Sequence, residues 1–587
     1  MIKNSKYLPI DFSYPFKGLH TFGPSTRTNP NFFQSSDNVS FERNFITKRP
    51  GYTELGGGLT GDVMLIDEFI KIPLQSIVTT TTGVFKYDST NDVYDEIPLP
   101  QTVKLTYSVK TLSPLRFETF TQGSTSATGK YLCHTATHVY LTQTSETDFD
   151  SSHTITGSYS GCTFTVSGLI EIPHVWDGNE DNVFLSSIGN DQNGQYIFIT
   201  NGKNVPLVYD GNILHAYLPQ GISDLEYVNS GFFFEGRLFL GGISSGGVAE
   251  LSWVYISQPG DIYDHESLFS DAFQLDNETA ILKLEKLGSR LVCYGTTAHT
   301  LEYLGDDYGY APVRTIDYLP MVSGRAVVNL TFCHLILTKS NVIVNGEVGT
   351  QINIADEITE DIQNDLDLEH PGRAYGFRSP QQDKVYFIIP ISDTLSYIYV
   401  LESRTSDFSD RTWTRWILND RIKSFGTFRK DSTLTWTTVH DIGTKWENYV
   451  GEWKAGQIRA GYPLLAVGGN TKMFTFSSES LDAGISSQAV LISEDVMYPE
   501  LFSSIKVRWV ELELELKGDS VGVMVSADEG DSWLDLGVIN LQKSKWLKYR
   551  APGFEIIGTS FRFKFYSTEH FEMRWGRVWG GILGVNA

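Results

Sequence analysis

The sequence predicts an all-β protein: a β-propeller of roughly six to eight blades, with an extended N-terminal arm, a β insertion and a C-terminal β-sandwich. Three observations point there. Aromatics make up 13% of the chain beside 53 glycines, a composition that suits half-buried strands joined by tight turns. One hairpin pattern recurs, seen first in YIFITNGKNVPLVYDG at residues 196–211 and again in LVCYGTTAHTLEYLG, LILTKSNVIVNGEVG and LLAVGGNTKMFTF. Successive hairpin starts along the chain lie for the most part roughly 37 to 58 residues apart, near the length of a four-stranded blade.

Taken in order, residues 1–60 carry many turn formers (Pro9, Pro15, Gly18, Gly23, Pro24, Pro30, Pro50, Gly51 and Gly56 to Gly58) and few clear strands. Such a segment has no core of its own, so an arm laid over another surface is expected. Hairpins begin after residue 61 with SIVTTTTGVFKYD, and residues 61–486 are expected to form the propeller. Within it, residues 101–190 are Ser/Thr-rich and irregular, as a β insertion between blades would be. Helix is scarce; the best candidate, 355–370, places Ile358, Ile362 and Leu366 on one face. Ten of the 12 tryptophans lie beyond residue 400. Strict alternation in IKVRWVELELELKG and FRFKFYS reads residues 487–587 as a separate sandwich.

The formal charge of −24, from 46 basic and 70 acidic residues, argues against a protein that grips duplex DNA, because that affinity comes from Lys and Arg neutralising phosphates. Four cysteines without a CxxC give neither a disulfide framework nor a zinc knuckle, and buried free thiols are expected. The start, MIKNSKYLPIDF, lacks the apolar region of a signal peptide, and no membrane-length apolar run follows. Cytoplasmic synthesis without a membrane segment is the expectation.

Few motifs carry chemistry. Ser526, Asp528, Gly530 and Trp533 fit an Asp box, S-x-D-x-G-x-x-W, in which the carboxylate accepts N–H bonds across a turn; its role is structural. Phe377-Arg378-Ser379-Pro380 is a broken form of the F-R-I-P start of sialidases, and a blade turn is the simpler reading. His134 and His138, read as one strand face, lack a third ligand for zinc. GxSxG, Walker A and HExxH are absent. The reading is of a non-enzyme without cofactor or metal.

Three pieces of the first 60 residues, Phe16-Lys17-Gly18-Leu19, Asn38-Val39 and Lys48-Arg49-Pro50-Gly51-Tyr52, followed by ITNGKNVPLVYDG, FFEGRLFLGG and YISQPGDIYD, resemble tail nozzle proteins of short-tailed DNA phages, the tail tubular protein B type. The resemblance implies a virion structural protein: a homohexameric ring that extends and gates the DNA ejection channel below portal and adaptor. It implies contacts with the adaptor and portal complex and with tail fibres or spikes, transient passage of double-stranded DNA, and assembly in the host cytoplasm. The arm would strap the subunit to the adaptor or a neighbour. The alternative is a carbohydrate-binding or sialidase-like propeller, for which one Asp box and the broken F-R-I-P speak.

Overall fold

The computed structural model describes residues 8–585 except 14–16, 22–31, 43–44, 70–73, 135, 173–174, 193, 223, 276–279, 306–308, 317, 347–350, 381–382, 404, 406, 430–462, 477–480, 497–504, 551–553, 555 and 559. The described residues are almost wholly β, and their strand pairing builds a propeller with seven four-stranded blades. Blades one to six occupy 63–96, 185–216, 225–274, 283–316, 327–353 and 375–416. Each runs antiparallel from an inner to an outer strand. The inner strands Val63–Phe69, Leu185–Asn190, Leu225–Phe234, Lys283–Leu287, Val327–Asn329, Tyr375–Arg378 and Ser424–Phe428 touch in that order, and the last returns to the first. The ring is closed.

Apolar alternation explains how the blades stack. Both faces of a blade are covered by neighbours, so middle strands carry long buried runs: Lys384–Pro390 is buried at every position, and all of it after Lys384 is apolar or aromatic. The recurring hairpin at 196–211 forms as the sequence suggests, with strands Gln195–Thr200 and Leu207–Tyr209. Its turn is held by the Asn201 carboxamide oxygen, which accepts from the Lys203 and Asn204 amides at 3.0 and 2.8 Å. The expected helix is shorter than its pattern, Thr359–Asp365 after a 3-10 turn at Asp356–Ile358. Ile358, Ile362 and Leu366 pack between blades five and six.

Ring closure corrects the expectation of an N-terminal arm. The fourth strand of the seventh blade comes from the N-terminal side of the chain: it is Tyr52–Glu54, paired antiparallel with Met473–Phe476, and Leu481–Asp482 adds parallel beyond it. Before it, Phe32–Asp37, Val39–Phe41 and Ile46–Lys48 enter the terminal sandwich, which is therefore built from both chain ends. One sheet pairs Val39–Phe41, Ile46–Lys48, Phe571–Val585, Ile505–Gly518 and Leu547–Arg550, and Leu8–Ser13 joins it along Phe571–Val585. The other pairs Phe32–Asp37, Ala489–Ser493, Arg562–Ser567, Ser520–Ser526 and Leu534–Asn540. Phe33, Val39, Phe41 and Ile46 are buried with Leu512, Leu514, Val523, Phe563 and Phe565 in one core. The physical reason is that these short apolar strands find partners only in the C-terminal sheets. Asp37 then joins the outer strand of blade six, bridging Arg415 through the backbone and through a 2.7 Å ion pair.

Between blades one and two the chain makes a closed six-stranded barrel over 102–172. It docks on blade three through Arg116, which donates to both Asp261 carboxylate oxygens at 2.8 and 2.9 Å and lies over the Tyr263 ring. His134 and His138 do not share a strand face as expected. They end and begin consecutive barrel strands, Thr128–His134 and His138–Gln143, across a hairpin turn.

Candidate functional site

The N-terminal motif residues are structural pins. Gly18 sits at φ +83°, and a Cβ there would lie 2.7 Å from the Trp413 amide nitrogen, so both conformation and space demand glycine. Leu19 is buried against blades five and six. Phe16 lies outside the described residues. The Lys48 ammonium donates to the Thr568 carbonyl; burial and then the adjacent Arg49 charge push its pKa below the usual lysine value. Arg49 is wholly buried at the junction of sandwich and propeller, where it donates to both Asp482 carboxylate oxygens at 2.7 and 2.5 Å, to Asn38 Oδ1 at 2.8 Å and to the Ile417 carbonyl at 3.1 Å. It also reaches the Pro50 carbonyl at 3.0 Å. Gly51 is buried beside it. Tyr52 donates to Asp420 Oδ2 at 2.9 Å and accepts from the Asp420 amide at 3.1 Å.

The Asp box makes the turn between Ser520–Ser526 and Leu534–Asn540. The amides of Asp528 and Gly530 donate to the Ser526 hydroxyl at 3.3 and 2.9 Å, and that hydroxyl donates to Asp528 Oδ1 at 2.6 Å. Hydrogen bonds from Ser526 and Ser532 hold the Asp528 carboxyl down at about 2. Gly530 has φ +100°. Trp533 is half-buried with the Lys564 ammonium over its ring. All of these contacts stay within the sandwich.

Two places collect the groups that chemistry would need. The first, at one end of the propeller axis, escaped the sequence reading because its residues come from separate interblade loops. Arg325, 2% exposed, enters from the start of blade five. It donates to the carbonyls of Gly372, Met64 and Lys423 at 3.3, 3.0 and 2.9 Å, at the entries of blades six, one and seven. Burial pushes its guanidinium down to about 10. Around it, Arg373, Arg421 and Lys423 converge on Glu180 at 3.0, 2.9 and 2.8 Å. Asp181 and Asp393 hold Arg373 at 2.6 and 2.7 Å, and Asp62 holds Lys423 at 2.6 Å. Burial opposes the charge on Glu180, but Lys423, Arg421 and Arg373 outweigh it and bring its carboxyl below the usual range. The space left, about 10 Å³, is that of about one water. An arginine cluster of this kind could hold a ligand carboxylate; here the chain's own Glu180 occupies it.

The second place is a cavity of about 190 Å³ at the opposite end of the interface between blades five and six. Its apolar wall is Leu330, Phe332, Val385, Leu401 and Phe408, and its polar edge is Arg378, Asp383, Lys384, Ser403 and Thr405. Alternation along Tyr375–Arg378 sends Phe377 toward blade seven, stacked on Phe425, and Arg378 toward blade five. In the sequence this Phe-Arg pair reads as a broken sialidase F-R-I-P, whose arginine binds a carboxylate in that family, with a blade turn as the simpler reading.

The four cysteines are buried free thiols, and no group of three metal-ligating side chains occurs among the described residues. No described helix is long and apolar enough to cross a membrane.

No family model matches the sequence, and no curated protein matches it. Solved structures do. The chain is similar to an exo-β-1,3-galactanase from Phanerochaete chrysosporium crystallised with galactose, at 9% identity and TM-score 0.22 over 67% of this chain and 95% of that one. It is similar to the extracellular domain of a one-component system from B. thetaiotaomicron, at 10% identity and TM-score 0.28 over 88% and 86% of the two chains. A third likeness is YCF48 bound to D1 peptide, at 10% identity and TM-score 0.21 over 65% and 98%. The seven-bladed architecture described above rests on the chain's own strand pairing.

Proposed function

We propose that this chain is a non-catalytic structural subunit of a virion, the nozzle of a short-tailed phage tail that its N-terminal and blade motifs resemble. The observation that carries the reading is the axial charge cluster: Glu180 fills the three-cation site that a carboxylate-binding enzyme would leave open, and Arg325 links the entries of four blades there. The cluster serves closure of the ring. An overall charge of −24 fits a channel wall that lets DNA pass without holding it. Because the N-terminal segment is used within the chain's own fold, contacts with adaptor and neighbours belong to loops and outer strands. Large apolar side chains stand exposed there, Leu268 at 91% and Phe269 at 63% on blade three.

Quantitative mass spectrometry of DNA-filled virions from the source tests this. Half as many copies as the portal protein is the expected result for one axial nozzle under a twelve-fold portal. Absence from virions overturns the reading, and copy numbers well above the portal's point to peripheral spikes. A second reading, a glycan-binding propeller, draws on a different observation, the cavity beside Arg378.

A further inference from the structure

We infer that the cavity between blades five and six is a binding site for an acidic sugar unit, a pyranose carrying a carboxylate. The inference stands apart from the nozzle reading and deepens the glycan-binding one. Three features of the wall carry it. Arg378 is exposed at the edge and has no ion-pair partner among the described residues, whereas the neighbouring Lys384 is held by Glu42 and Glu402 at 3.2 and 2.9 Å. A guanidinium left open beside apolar surface is matched to a carboxylate, which it can grip with two parallel bonds.

Phe332 stands 50% exposed over the cavity. It is presented by Thr331, a β-branched residue at φ +78° whose amide donates to Asn329 Oδ1 at 2.6 Å. Phe408, on the opposite wall, is itself at φ +59°. Two non-glycine residues in the left-handed region at one cavity are a costly arrangement that the fold maintains. It leaves one aromatic face open to stack on the apolar face of a pyranose.

Asp383, Ser403 and Thr405 complete the edge. Asp383 can accept from sugar hydroxyls; the Ser403 hydroxyl already donates to the Thr405 carbonyl at 2.7 Å, and the Thr405 hydroxyl is held by Ser409 and the Asp410 amide, each at 3.2 Å. A fatty acid would leave Asp383 unmatched, and a neutral sugar would leave Arg378 unmatched. At about 190 Å³ the cavity is smaller than a typical ligand pocket and takes no more than one sugar unit at the end or side of a longer chain. No bond is made or broken in this proposal.

The experiment titrates the full chain with methyl glucuronide and N-acetylneuraminate, against methyl glucoside and acetate, by saturation-transfer NMR and calorimetry. Saturable binding of at least one acidic sugar is expected, weakened about tenfold or more in Arg378→Gln, the range for losing one charge-assisted bond, and measurably weakened in Phe332→Ala, which removes the stacking face. Both side chains are exposed, so both variants should fold, and circular dichroism checks that they do. Binding that persists unchanged in both variants overturns the site while leaving glycan binding elsewhere on the chain. Absence of binding by either acidic sugar overturns the site and the glycan reading together. Acetate or methyl glucoside bound as well as the acidic sugars overturns the stated specificity, and with it the inference.

Discussion

Asp67 is a charge placed where charge is costly. It lies half-buried on the inner strand of blade one, with Oδ1 accepting from the Ser186 hydroxyl at 2.8 Å and Oδ2 shut off from solvent without a hydrogen-bond partner. Burial pushes its carboxyl up to about 6. A folded-state value above the unfolded one means that folding favours the protonated form. The penalty is therefore fully present above about pH 6 and is relieved as pH falls toward the unfolded value near 4. Asp67→Asn should stabilise the protein by about 1–3 kcal/mol at pH 8, with the gain disappearing by about pH 4. Urea melts across that range check it, and a gap independent of pH would refute the assignment. Arg49 is the opposite case, a buried charge whose partner is present. Arg49→Met strands Asp482 in the interior and should cost about 3–5 kcal/mol, read from the same melts; a loss below about 1 kcal/mol would mean that water reaches the pair. The motif containing Arg49 was legible in the sequence, but as an outward-facing arm. Its partner Asp482 is 433 residues away, and no local pattern encodes a contact that only ring closure creates.

At the scale of elements, legibility followed strand length. The blade hairpins declared themselves through their middle strands, such as Gln195–Thr200 and Lys384–Pro390, which are long enough to show apolar runs next to Gly and Asn turns. Val39–Phe41, Ile46–Lys48 and Tyr52–Glu54 are three residues each, too short to display any period, and they are strands only because partner edges await them. The helix at Thr359–Asp365 was visible from Ile358, Ile362 and Leu366, although its pattern overstated its length because the chain turns away after Leu366. This reassignment of the N-terminus changes what a truncation should do. Deleting residues 1–50 removes Phe33, Val39, Phe41 and Ile46 from the sandwich core. At about 1.5–3 kcal/mol per buried side chain, the loss is about 6–12 kcal/mol, as large as the whole stability of a typical domain. The truncated chain should lose the sandwich transition in a thermal melt and expose residues 489–585 to protease. A truncated chain that melts like the full protein would show that these strands are ornamental.

For the whole molecule, the problem the fold must solve is how a ring of seven sheets stays shut. Each blade interface is local, and a propeller whose first and last blades part has lost one interface and exposed two apolar faces. This chain closes twice. Tyr52–Glu54 completes the seventh blade from the N-terminal side, so first and last blades are linked covalently through residues 55–62. At the axis, one guanidinium reaches carbonyls at the entries of blades six, one and seven from its seat at blade five. The second device needs a planar fork with several donors. Arg325→Lys keeps the positive charge but offers one compact ammonium that cannot span three carbonyls. It should cost about 2–4 kcal/mol, from two orphaned buried acceptors and a charge left with less compensation. Hydrogen exchange localises the effect: protection should fall first in Val63–Phe69 and Ser424–Phe428, the inner strands on either side of the closure, while the barrel at 102–172 keeps its own. Uniform loss of protection across all blades would instead mean that the ring opens as a single unit, and lysine performing as well as arginine would mean that the strand at Tyr52–Glu54 suffices to keep it closed.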